Sequence, residues 1–352
     1  IKKSDDKRMY FIRNNEFKNN NSGESHNIEY EVIVDARFVD EFNYDTYYIT
    51  PWEITNKPNG EERRLCLRIN QINYYTDNSH LHDPSYSFYY NDGLAEEIVA
   101  LTSLFLRARM RLGQMVRWFD KPLIRPIRKE WIDKPLINEN KILKELPDWF
   151  KSVEKLNPEY HEPFKKAAFS YQQALHLIEN QPALAYLILV SAIETLSHSI
   201  DQKGKTSLFD LDNKLGTIVK KVECQELRQE LEEAIINQFF KAKRKFIDFI
   251  SEHVEESFWA KNNRQIHSNQ LKDILGRIYD QRSKTIHTGE QFPPFIFMPP
   301  EEHESDIPIR ENNKEENKCK KEDLIPYPQF FEELVRHVLI SFVKNNQVQN
   351  EK

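Results

Sequence analysis

Glycine and cysteine are scarce in this 352-residue chain, with 8 and 3 copies. Few glycines, and neither a GxGxxG nor a P-loop spacing, argue against a Gly-rich phosphate-binding fold. Cys66, Cys224 and Cys319 are far apart and odd in number. They make neither a disulfide framework nor a cysteine zinc site, and they suit a reducing, cytoplasmic compartment. Long apolar runs are missing as well. The longest, Pro182 to Ile193, is too short to span a bilayer, so no membrane partner is expected. Positive charge is not in excess either: the net charge is −6, and contact with a nucleic acid has to come from local patches.

What is present is globular, with 39% hydrophobic and 30% charged residues and enough length for two ordinary domains. Residues 28–39, 45–55 and 63–75 carry β-branched and aromatic residues in rough alternation, which predicts strands. Asn59-Gly60 is a turn between the last two. A helix is expected from near Asp92 through Val116, and prolines 122, 126 and 135 then interrupt regular structure. Residues 1–150 therefore read as an α+β module.

From about Pro163 the period becomes helical. Phe164, Ala168, Tyr171, Leu175 and Ile178 form one apolar stripe. Asn180 is placed to cap a second helix, with Pro182 in its first turn, running to about Ile200. That helix is apolar nearly all round and so central. Leu227, Leu231 and Ala234 open a third helical region, continued by Phe246, Ile250, Val254 and Phe258. A further helix is expected from about Asn269 to His287, ended by Gly289. Residues 299–324 are polar enough for a loop, and the last helix carries Phe331, Val335, Val338 and Phe342. The second half, 160–345, is an all-α bundle.

The chemically suggestive segment is Arg282-Ser-Lys-Thr-Ile-His287. Arg followed by His at such spacings arises by chance about twice in a chain of this composition, so its weight comes from position. The apolar stripe Leu271, Leu275, Ile278 steps next to Arg282, a charge where a core residue is due. Ser283 and His287 are four apart and share a neighbouring face. In the central helix the stripe Ala183, Leu187, Val190 steps likewise to Glu194. A partly buried arginine needs a carboxylate, and an Arg282–Glu194 pair is expected.

Two stretches, Ile278-Tyr-Asp-Gln-Arg-Ser-Lys-Thr-Ile-His-Thr-Gly289 and Leu187-Ile-Leu-Val-Ser-Ala-Ile-Glu-Thr-Leu196, resemble the signature of ApeA-like HEPN domains. The resemblance covers roughly 160–345. It implies an all-α HEPN bundle that acts as a metal-independent endoribonuclease on single-stranded RNA or tRNA. It also implies a homodimer in which two such motifs face one cleft, and a toxin or anti-phage role (abortive infection) with a phage-derived trigger or regulatory partner. Arg282 and His287 then stand at the catalytic positions, with Ser283 where many members have Asn, and Glu194 and Tyr279 supporting them. A histidine exchanges protons near neutral pH, and an arginine holds phosphate. No cofactor and no metal is expected. The rival reading is a non-catalytic HEPN module that binds nucleic acid or a nucleotide, or serves only dimerisation.

Other features are weaker. Residues 107–129 hold Arg107, Arg109, Arg111, Arg117, Arg125 and Arg128 around Trp118 and Phe119, an RNA track or equally a solvated helix face. Lys241–Lys245 poses the same choice. His198 is expected to be a satisfied core histidine. His80, His82 and Asp83 have metal-ligand chemistry, but their polar, tyrosine-rich context weighs against a site. The aromatic run Tyr74–Tyr90 reads as a packed sheet face.

Overall fold

The computed structural model describes residues 8–19, 25–38, 40–44, 47–51, 64–72, 93–118, 140–199, 213–239, 242–260, 264–297, 306 and 325–348. It is mostly helical, with a small antiparallel sheet in the N-terminal part. Two compact units emerge, Ile1–Asn180 with Leu339–Lys352, and Gln181–Val338. The chain's last segment thus returns to the first unit.

In the first unit, helix α1 (Tyr10–Asn19) precedes strands β1 (Ser25–Val34), β2 (Arg37–Phe38), β3 (Phe42–Tyr44), β4 (Tyr47–Pro51) and β5 (Arg64–Ile72). Then come α2 (Leu94–Leu106), β6 (Met110–Trp118), β7 (Asn140–Lys141), α3 (Leu146–Glu154) and α4 (His161–Leu177). Five strands make one sheet in the order β3-β4-β5-β1-β6. The three strands read from the sequence lie within it, paired antiparallel from Ser25↔Ile72 through Ile33↔Arg64 and from Tyr47↔Ile69 through Pro51↔Leu65. The Asn59-Gly60 turn, the prolines at 122, 126 and 135, His80, His82, Asp83 and the run 74–90 fall outside the described residues.

The helix expected through Val116 stops at Leu106. Arg107 adopts a left-handed conformation (φ 51°), and the Ser103 hydroxyl donates to Ala108 O at 2.6 Å, closing the turn. From Met110 the chain alternates Met110, Leu112, Val116 and Trp118 against Arg111, Gly113 and Arg117, which is a strand's period. Its apolar residues also fit a helix, hence the difference. A bulge sits opposite Glu31, where Gly113 leaves room for that side chain: a Cβ there would fall 2.9 Å from Glu31 Oε2 and 3.1 Å from its Cβ.

Aromatic packing fills this unit. Phe150 of α3 packs edge-on against Phe11 and tilted against Phe42, Tyr44 and Tyr47, with ring centres 5.4–6.3 Å apart. Phe342 packs against Tyr160 and Phe164, at 5.3 and 6.4 Å. Helix α4, expected in the bundle, packs on α2 and clusters with the first unit. Helix α1, unanticipated, is anchored through its N-terminus. Buried Glu97 accepts from Tyr10 N at 3.1 Å and Phe11 N at 2.9 Å, satisfying two of the orphan amides every helix start exposes.

The second unit contains α5 (Pro182–Ser197), α6 (Asn213–Val219), α7 (Gln225–Phe239), α8 (Lys243–His253), α9 (Glu256–Trp259), α10 (Leu271–Thr288) and the start of α11 (Pro328–Asn345). Gln181, not Asn180, occupies the N-cap of α5 and caps with no side-chain bond, while Pro182 takes the first turn. Helix α5 packs on α8 and α10, and its Tyr186 stacks on Phe331 and Phe292 at 5.1 and 5.5 Å. Leu227 and Leu231, which open the third helical region, are exposed on α7. Asp306, in the segment expected to be a polar loop, is buried. It accepts from Arg264 Nη1 and Gln265 N, both at 2.9 Å. Arg264 in turn lies 4.1 Å over Phe258 and pairs with Glu333 at 3.1 Å. This clasp fixes the chain just before α10. No described helix is long and apolar enough to cross a membrane.

Replacing Glu97 by Ala leaves two α1 amides without their acceptor. A loss of about 2–4 kcal/mol in unfolding free energy is expected from chemical denaturation, with Glu97→Gln recovering part of it.

Candidate functional site

Helix α10 is amphipathic, with Leu271, Ile274, Leu275 and Ile278 buried. Gly289 ends it in a left-handed conformation (φ 71°), its N–H bonded to Thr285 O at 3.2 Å. Arg282, Ser283 and His287 therefore occupy the last two turns.

The two interrupted apolar stripes meet. Arg282 Nη2 donates to Glu194 Oε2 at 2.9 Å, and Tyr279 donates its hydroxyl to Glu194 Oε1 at 2.8 Å. One carboxylate thus serves two donors from the facing helix. The Arg282 guanidinium lies 5.5 Å from the centre of the Tyr279 ring, which packs on Phe246 at 5.5 Å. Burial raises the Tyr279 phenol above the ordinary tyrosine range, and the hydrogen bond to Glu194 and its charge add to that, against an opposing pull from Arg282. Glu194 and Arg282 keep side-chain exposures of 12% and 23%, so the pair is shielded but reachable. Among the described residues Nε and Nη1 of Arg282 have no partner.

Ser283 is half-buried and His287 exposed. They follow one another at one-turn spacing, whereas Arg282 and His287 are five residues apart, about 140° round the helix. Within one copy the guanidinium and the imidazole leave α10 in different directions. The intervening Ile286 is 51% exposed, a large apolar side chain in water one turn from Arg282. His198, expected in the core, is exposed at the end of α5.

The basic run divides. Arg109 does not face solvent: it is 3% exposed, donates Nε to Leu175 O at 2.9 Å and pairs through Nη2 with Glu179 at 2.9 Å. It is a buried structural arginine that ties β6 to the end of α4, so it is withdrawn from the RNA-contacting set. Arg107 is half-buried in its turn and Arg111 is exposed. Arg117 belongs to β6, and Arg125 and Arg128 lie outside the described residues. In the second basic cluster Lys243 pairs with Asp280 at 2.6 Å and Arg244 with Asp248 at 3.3 Å. Among the described residues no group of three His, Cys, Asp or Glu is placed to hold a metal.

Sequence reasoning missed the cross-helix link from Lys243 to Asp280. Its only signal was the tract Lys241–Lys245, which does not reveal its partners.

Glu194→Ala is expected to cost about 2 kcal/mol, since two shielded donors lose one acceptor. Glu194→Gln should cost less, keeping the tyrosine bond. Because the folded Tyr279 holds its proton more tightly than an ordinary tyrosine, whose pKa is about 10, its contribution is complete below about pH 10. It fades as the pH rises above that, toward the folded value. Alkaline unfolding followed by ultraviolet absorbance should show this loss shrinking in Glu194→Gln. Compared with family models, curated proteins and solved structures, the chain matches none.

Proposed function

We propose that the second unit is a HEPN-type, metal-independent endoribonuclease cutting single-stranded RNA or tRNA. The observation that carries this reading is Arg282, a guanidinium gripped by Glu194 on one nitrogen and open on the others. Partly exposed and held on one nitrogen, it keeps a fork for phosphate oxygens.

In the proposed reaction an imidazole accepts the proton of a ribose 2′-hydroxyl. That oxygen attacks the adjacent phosphorus, and the bond to the 5′-oxygen breaks as the leaving oxygen takes a proton. Arg282 neutralises charge growing on the phosphoryl oxygens, and Ser283 orients the phosphate. The products are a 2′,3′-cyclic phosphate and a 5′-hydroxyl. The divergence of Arg282 and His287 on one helix favours a composite site, in which one copy's histidine meets the arginine of a second. The exposed Ile286 beside Arg282 suits such a homodimer. A cytoplasmic defence or toxin role, released by a phage-derived trigger, goes with the HEPN resemblance.

Labelled RNA incubated in EDTA with the full chain should be cut to cyclic-phosphate ends. His287→Ala should lower kcat by about 10²- to 10⁴-fold, and Arg282→Ala by about 10²- to 10³-fold. A 2′-deoxy substitution at the cut position should block cleavage. Undiminished cleavage by His287→Ala, or products with 5′-phosphates, would sink the reading.

A further inference from the structure

A cleft of 280 Å³ opens in the second unit between α8, α9 and the start of α10. Trp259, Glu256, Ser251, Ser268 and Lys272 line it. It is smaller than a typical drug-sized pocket of about 300–1,000 Å³, and its volume suits one planar ring. Trp259 is half-buried, held edge-on against Phe258 at 5.0 Å and 89°. Ser251 Oγ is buried with no hydrogen-bond partner among the described residues; the Ser268 hydroxyl shares the lining. Glu256 and Lys272 are exposed at the rim. An aromatic wall, a hydroxyl, a carboxylate acceptor and an ammonium together suit a nucleobase with its phosphate: the ring stacks, the carboxylate takes an exocyclic amino group, and the ammonium takes the anion.

The cleft is aligned with the candidate site. At 100° per residue, Lys272, Gly276, Ser283 and His287 fall within about 60° on α10. Between the two ends the helix carries no side chain at Gly276, and the Lys243 ammonium lies 3.9 Å from where a Cβ would sit. Lys243 also neutralises Asp280, one of two carboxylates bordering this strip; the other, Asp273, is exposed. The strip from Lys272 to His287 is about 22 Å long, or about six or seven nucleotides of a stacked strand.

We propose that the Trp259 cleft is a base-binding subsite of the RNA strand, which runs along this strip of α10 and carries the cut phosphate at the far end. The proposal rests on the ribonuclease reading but is tested without turnover. Fluorescence anisotropy of a labelled 12-nucleotide single-stranded RNA would be measured with full-length His287→Ala, alone and combined with second substitutions. Trp259→Ala should weaken binding roughly 5- to 150-fold, the stacking contribution of one base, and Trp259→Phe should restore most of it. Lys272→Glu should weaken binding and flatten the salt dependence by about 0.7 in log–log slope per phosphate contact.

Gly276→Leu improves helix propensity while covering the strip, so it tests the track even if Trp259→Ala fails to fold; it should weaken binding at least several-fold. RNA affinity unchanged by Gly276→Leu and Lys272→Glu overturns the subsite and leaves the ribonuclease reading standing. No affinity for RNA in His287→Ala itself, at low salt, overturns both.

Discussion

The second unit turns on one carboxylate. Glu194 stands in a helix that is otherwise almost wholly apolar, and a bare charge there would be intolerable. Two donors from α10 resolve it, the Tyr279 hydroxyl at 2.8 Å and Arg282 at 2.9 Å. The same bonds decide how α10 is rotated against α5, because both donors must reach one acceptor. Rotation then fixes everything else on α10. It puts Leu275 and Ile278 inward and leaves Ser283 and His287 toward solvent. The orientation of the chemically interesting residues follows from how a buried charge was satisfied.

This arrangement was partly legible beforehand. Arg282 and Glu194 each interrupt an apolar stripe, and two unfavourable charges on neighbouring helices imply each other. The helices of the bundle were readable from their 3.6 period, and the strands from alternation. Tyr279 as a second donor was not, since a tyrosine on an apolar stripe satisfies the pattern whether or not its hydroxyl finds a partner.

Elsewhere the pattern underdetermined the result. The strand Met110–Trp118 was read as helix because its apolar residues meet both periods, and only the left-handed Arg107 decides between them. Arg109 shows the limit of charge counting. In sequence it belongs to a basic run; in the fold a backbone carbonyl, Glu179 and Asp35, at 2.9, 2.9 and 3.9 Å, consume it. Helix α1 was unreadable for a similar reason. Its stability comes from Glu97, more than eighty residues away, and from aromatic neighbours on the sheet, neither of which leaves a local trace.

The return of the segment from Leu339 to the first unit bears on the order of synthesis. Phe342 and Val343 are fully buried and belong with residues 1–180, whereas every residue of Gln181–Val338 leaves the ribosome before them. The N-terminal part therefore waits, its core unclosed, until Leu339–Val343 have been made. A chain cut short before Leu339 would lose the keystone of its first unit.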